Sequence, residues 1–86
     1  PFTPALHFMP SRRVFIVEDS PVIRANLIDT LEELTPVSVV GWSDGEAGAL
    51  AWLAEHPDGW DLLIVDLFLK QGSGLGVLQA CKHRPA

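Results

Sequence analysis

Hydrophobic and polar positions follow two rhythms along this chain. VFIV, residues 14–17, is a short β-branched and aromatic run with no polar alternation, the pattern of a strand buried on both faces of a parallel sheet. After EDSP the rhythm changes, and Ile23, Leu27, Leu31 and Leu34 recur every three or four residues. That spacing predicts an amphipathic helix of about 14 residues. Ser20 and Pro21 supply its start: serine accepts from an early backbone N–H, and proline at the first helical position lacks a donor that would be orphaned there. Pro36 biases Thr35 out of helical geometry and ends the helix. VSVV, residues 37–40, reads as a second strand closed by Gly41. Ser43 and Glu46 fit an S-x-x-E capping box, so a second helix opens there with Ala47, Leu50, Ala51 and Ala54 on one face. Pro57-Asp58-Gly59 predicts a turn in which proline presets φ and glycine accepts a positive one. The third strand is DLLIVD, residues 61–66. After the loop LFLKQGSG a third helix carries Leu75, Leu78 and Cys81 or Lys82, stopping by Arg84 because Pro85 follows.

The element order is β-α-β-α-β-α with short connections, which predicts an α/β fold with a parallel sheet covered by helices. Both VFIV and LLIV read as central strands, yet three strands offer one central position. One of them therefore lies at an edge, and an uncovered edge predicts a homodimer or domain exchange through the third strand. Residues 1–11 hold three of the seven prolines and no period, so residues 1–12 read as a flexible lead-in and 13–86 as the folded unit.

Composition narrows the class. The chain has 86 residues, 48% of them hydrophobic, and a mean hydropathy of +0.23, above the range of disordered chains and enough for one modest core. A net charge of -5 and a pI near 4.9 argue against nucleic-acid binding by this chain, which would need a basic face. No apolar run reaches the roughly 20 residues needed to span a membrane. The positive charges of PFTPALHFMPSRR follow the apolar stretch, the wrong order for a secretory signal. With a single cysteine, Cys81, no internal disulfide is possible. These features together predict a cytoplasmic protein.

The candidate chemistry lies at strand ends. Glu18 and Asp19 directly follow the first strand, and Asp66 ends the third. In doubly wound folds ligands collect outside the carboxyl ends of the strands. If strands one and three are neighbours, three carboxylates converge, and each close pair repels by about 4 kcal/mol at an effective dielectric of 20. A cation relieves that repulsion. An all-oxygen donor set suits Mg²⁺ better than Zn²⁺, and a metal among acids points to phosphate as the third party.

These residues carry a resemblance. VFIVEDSPVIR resembles the first strand, acidic pair and first helix turn of the receiver domain of bacterial two-component response regulators, and LLIVDLFLKQGSG resembles its phosphoacceptor strand and loop. The likeness covers residues 13 to 84. It implies a flavodoxin-like doubly wound parallel sheet, of which three βα units are present where the family has five. It implies that Asp66 takes a phosphoryl group from a sensor histidine kinase or phosphotransfer protein. Asp19 would be a direct Mg²⁺ ligand, Glu18 would act on the metal through water, and the backbone carbonyl of Phe68 would complete the protein's ligands. Gly74 matches the family's glycine after the phosphoacceptor. A receiver of this kind catalyses its own phosphorylation and is not a turnover enzyme.

Departures from the pattern are specific. Glu18 stands where aspartate is commoner, and Lys70 where the family usually has proline. The family's Ser or Thr after strand four and Lys after strand five have no counterpart in these 86 residues, which favours a C-terminally incomplete receiver. The alternative function is a receiver fragment that cannot be phosphorylated and serves only association. A haloacid-dehalogenase-like phosphatase needs a second Asp two residues past the nucleophile, and Phe68 occupies that place. GSGLG, residues 72–76, fails the dinucleotide fingerprint and reads as a loop running into a helix. His7, His56 and His83 are scattered and read as solvated, Arg24 as facing solvent or an acidic neighbour, Cys81 as a packed thiol, and the tryptophans as packing residues.

Overall fold

The computed structural model describes residues 11–82. Nearly all of the expected lead-in, together with His7, His83 and the expected helix end at Arg84, lies outside that range. Within it the chain forms β1 (Arg12–Val17), α1 (Pro21–Leu34), β2 (Val37–Ser43), α2 (Glu46–Glu55), β3 (Leu62–Val65) and α3 (Gly74–Ala80). The sheet is parallel, in the order β2-β1-β3. This is the predicted doubly wound α/β arrangement, and its central strand is the most deeply buried of the three.

Val14, Phe15, Ile16 and Val17 of β1 are at most 1% exposed. Because side chains alternate across a strand, Phe15 and Val17 face one side and Val14 and Ile16 the other. The first side holds the core: Phe15 and Val17 pack with Ala49 of α2, Val77 of α3, Trp60 and Leu69, backed by Trp52, Leu53, Leu63, Val65 and Cys81. Trp52 stacks on Phe15 with ring centroids 4.1 Å apart and planes 9° from parallel. His56, expected to be solvated, lays its ring on the other face of Trp52 at 4.2 Å, with Nδ1 2.8 Å from the Trp52 carbonyl oxygen.

Helix α1 matches its predicted bounds, with Ser20 Oγ accepting from the Ile23 N–H at 3.2 Å and Pro21 in the first turn. None of its residues is buried. Leu27, Ile28 and Leu31 are half-buried, while Ile23 and Leu34 at the ends of the stripe are exposed. The edge position of β3 also follows the prediction, and Leu62 is 45% exposed there.

Four local expectations need correction. The second strand does not close at Gly41 but runs on through Trp42 to Ser43, with a bulge that shifts register between Val14 and Phe15 of its partner. Gly41 is there because Trp52 crosses the strand: a Cβ at position 41 would lie 2.7 Å from Trp52 Nε1. The capping box does not form. Gly45 is the residue preceding α2, Ser43 Oγ closes a local turn with the Gly45 backbone, and Glu46 reaches another loop. The buried side of α2 is Ala49, Trp52 and Leu53 rather than Ala47, Leu50, Ala51 and Ala54, which are all exposed. In α3 the inward residues are Gly74 and Val77, with Cys81 just beyond, whereas Leu75 and Leu78 point outward. The turn at Pro57-Asp58-Gly59 forms, closed by the Gly59 N–H on the His56 carbonyl at 3.1 Å, without a positive φ at Gly59.

At the starting end of the β1–β3 ladder Arg13 and Asp61 clamp the two strands. The Arg13 N–H donates to Asp61 Oδ2 at 2.8 Å, its guanidinium donates to both carboxylate oxygens at 3.1 Å, and the Asp61 N–H donates back to the Arg13 carbonyl at 2.7 Å. The guanidinium and amide hydrogen bonds hold the Asp61 carboxyl down to about 2, and the Arg13 guanidinium is raised in turn by Asp61.

Candidate functional site

The carboxyl ends of β1 and β3 are brought level by their register, which pairs Val17 with Val65. The next residue of each strand is then tied across: the Asp66 N–H donates to the Val17 carbonyl at 3.0 Å, and the Glu18 N–H to the Ser43 carbonyl of β2 at 3.0 Å. A backbone fixed in this way delivers Glu18, Asp19 and Asp66 to one place. Each offers a carboxylate oxygen, and those atoms lie within 4.8 Å of one another.

Three anions at that separation need compensation, and part of it is local. Each acid has one oxygen engaged by a backbone N–H: Glu18 Oε2 by Ser20 at 3.0 Å, Asp19 Oδ2 by Lys70 at 2.8 Å, and Asp66 Oδ1 by Phe68 at 2.9 Å. Hydrogen bonds to a charged acceptor are stronger than neutral ones, so these amides hold the three carboxylates in place. A second oxygen of each carboxylate remains for a ligand. The donor set is all oxygen, with no histidine or cysteine, which fits a hard divalent cation such as Mg²⁺ and not Zn²⁺.

The comparisons with known proteins identify the family. The family model described as "Response regulator receiver domain" matches residues 14–86. The chain belongs to the response regulator receiver domain family. Among solved structures, the RcsB response regulator of Salmonella typhimurium, reported for its conformational dynamism for DNA interaction, shares 26% identity at a TM-score of 0.61. That match covers 86% of this chain and 38% of that one, so the chain spans well under half of the RcsB structure. A search of curated proteins returns no match. Receiver membership connects the chain to two-component phosphorelay signalling.

The glycine matched by resemblance has a geometric reason, and other supports of the acidic cluster were not legible in the sequence. Gly74 sits against the backbone that carries Asp66: a Cβ there would collide with the Asp66 carbonyl oxygen and lie 2.7 Å from Leu67 Cα. Only glycine lets α3 start so close to β3. Arg24 is half-buried, and the acidic neighbour it meets, Glu18, is engaged through its backbone. Its guanidinium donates to the Glu18 backbone carbonyl at 2.8 Å and lies 3.7 Å from the Trp42 ring centroid, so a cation–π contact braces the turn after β1. Glu46 secures the loop after β3 from the other side. Its N–H donates to the Gln71 carbonyl at 3.0 Å and its Oε1 accepts from the Ser73 N–H at 2.7 Å. Phe68 follows the site with its ring 88% exposed. Neither role shows in the residue pattern, because Arg24 meets a backbone carbonyl and a tryptophan ring, and Glu46 meets the Ser73 amide 27 positions away.

Proposed function

We propose that this receiver domain accepts a phosphoryl group on Asp66 from a phosphohistidine of a sensor histidine kinase or phosphotransfer protein. The observation that carries this reading is the convergence of Glu18, Asp19 and Asp66 within 4.8 Å at the carboxyl ends of β1 and β3. Asp66 Oδ1 is occupied by the Phe68 amide, which leaves Oδ2 as the attacking atom. Oδ2 forms a bond to phosphorus, the phosphorus–nitrogen bond to the donor imidazole breaks, and its electron pair stays on that nitrogen. The product is an acyl phosphate on Asp66. Asp19, Asp66 and the Phe68 backbone carbonyl would hold Mg²⁺ directly, and Glu18 through water. Bound there, Mg²⁺ supplies positive charge that offsets repulsion between the cluster and the phosphoryl oxygens. The chain's own part is to hold Oδ2 in line and to keep the Glu18 and Asp19 carboxylates beside it. It is a phosphoacceptor and not a turnover enzyme, and it works in the cytoplasm facing its kinase.

The test is to incubate the chain with a small phosphodonor and Mg²⁺ and to weigh it intact. A single phosphoryl adduct is expected, dependent on Mg²⁺ and lost in Asp66→Asn. No adduct, or one that survives this substitution, refutes the reading.

A second reading rests on the exposed edge of β3 and on Leu62, which is apolar and exposed there. In it the chain associates with a second copy through that edge whether or not it is phosphorylated. Light scattering that finds a concentration-independent monomer removes it.

A further inference from the structure

We propose that Glu32 guards the β2 edge of the sheet: its carboxylate occupies the outward N–H of Val39 and closes that edge to a strand from a second copy of this chain. The inference is independent of the receiver-site reading and concerns the edge opposite β3.

Strand β2 has β1 as its neighbour on one side and lies at the edge on the other. Alternate residues of a strand turn their backbone groups to opposite sides. The Arg12 N–H donates to the Pro36 carbonyl at 3.2 Å, so Pro36 and Ser38 address β1, while Val37 and Val39 turn theirs outward. A row of outward donors is a template for another strand. VSVVGWS suits that role, because it is rich in β-branched residues and has neither charge nor proline within the strand. It also leaves Val40 and Trp42 exposed.

Glu32 stands against this. Its Oε2 accepts from the Val39 N–H at 2.8 Å. The reach is short because Glu32 lies in the last turn of α1 and only Thr35 and Pro36 connect that helix to β2, which brings Val39 back to a side chain seven positions earlier. The helix end is fixed by Thr35, whose N–H and Oγ1 donate to the Leu31 carbonyl at 3.0 and 2.6 Å. A carboxylate here runs against the helix's own preference, since the dipole favours cations at the C-terminus. The last turn of α1 nevertheless holds Glu32 and Glu33 and no base. The bond to Val39 gives Glu32 a use that the helix alone does not. An incoming strand would find its central donor taken and would set its own carbonyl oxygens against a negative charge. The bulge at Val40 begins at the next residue and breaks the regular spacing of the ladder, so the carboxylate and the bulge act on adjoining stretches of the same edge.

The test is sedimentation velocity on the full chain over a wide concentration range, comparing the wild type with Glu32→Ala, Glu32→Gln and Glu33→Ala. Glu32→Ala frees the Val39 N–H and should form larger species than the wild type at the same concentration. Glu32→Gln keeps an acceptor oxygen, and Glu33→Ala makes the same charge change without touching the bond, so both should sediment as the wild type does. An unchanged Glu32→Ala, or equal association in either control, overturns the proposal. Amide hydrogen exchange locates the effect. The Val39 amide should be protected in the wild type, should exchange about tenfold faster or more in dilute Glu32→Ala, and should regain protection as that variant associates. Larger species in which Val39 still exchanges fast use another surface and overturn the proposal. So does fast exchange of Val39 in the wild type, a result that stands even if Glu32→Ala does not fold.

Discussion

The two ends of the β1–β3 ladder solve opposite electrostatic problems with the same pair of strands. At the starting end Arg13 and Asp61 carry opposite charges, satisfy each other through three hydrogen bonds, and sit partly in solvent. At the finishing end Glu18, Asp19 and Asp66 carry like charges, and each is steadied by a single amide. The first arrangement is complete in itself and asks nothing of a ligand. The second gathers charge that only a cation or proton can neutralise, and it keeps that charge in place with backbone geometry. A carboxylate at a strand end is therefore not informative alone; what distinguishes Asp66 from Asp61 is the sign of its neighbours.

The comparison can be broken at its shared middle or at either end. Phe15→Ala empties the fully buried position between the two ends, and should cost about 3–5 kcal/mol in urea unfolding, disturbing both together. At the acidic end, Mg²⁺ at about 100 times its dissociation constant should stabilise the wild type by roughly 2.7 kcal/mol, and should stabilise Asp66→Asn much less. Thermal melts with and without the metal read this directly, and equal shifts in the two proteins would separate the cluster from metal binding. Gly74→Ala should cost about 1–3 kcal/mol, because the new methyl meets backbone on β3 that cannot move aside. Its phosphorylation should fall further than its unfolded fraction explains, as measured by intact mass at a temperature where the variant is folded.

The smallest effect belongs to the paired end. Asp61 ionises at about 2 when folded, below its ordinary 3.8, so its contribution to stability is fully present above about pH 4 and fades as pH falls toward 2. The denaturation midpoint of Asp61→Asn should sit below that of the wild type at pH 5, and the two should converge near pH 2. The gap at pH 5 should also narrow in high salt, since both groups are partly exposed.

The parts legible in the sequence are those where one residue type has one physical meaning. Ser20-Pro21 and Thr35-Pro36 set α1 to the residue, because a proline's missing donor and fixed φ leave little choice. VFIV announced the central strand, and the strand-end acids announced the site. The faces of α2 and α3 were illegible for a matching reason. EAGALAWLAE is apolar nearly all round, so periodicity offers no contrast, and Trp52 decides the inward face by stacking on Phe15. In α3 the inward position that matters is Gly74, which no hydrophobic pattern counts. Ser43 and Glu46 had the letters of a capping box, but Ser43 was taken by a local turn with Gly45 and Glu46 by the Ser73 amide 27 positions away.

The central place of β1 has a consequence in time. Synthesis proceeds from the first strand onward, and β2 reaches β1 early, but the second neighbour of β1 is made only when Asp61 and LLIV emerge, 48 residues after Arg13. Until then one edge of the most apolar strand has no hydrogen-bonding partner from β3. Closing so long a loop precedes any reward from pairing, which makes parallel sheets slow to fold. The pairing of β3 with β1 is also what brings Asp66 beside Glu18 and Asp19, so one long-range event sets both the ladder and the acidic cluster.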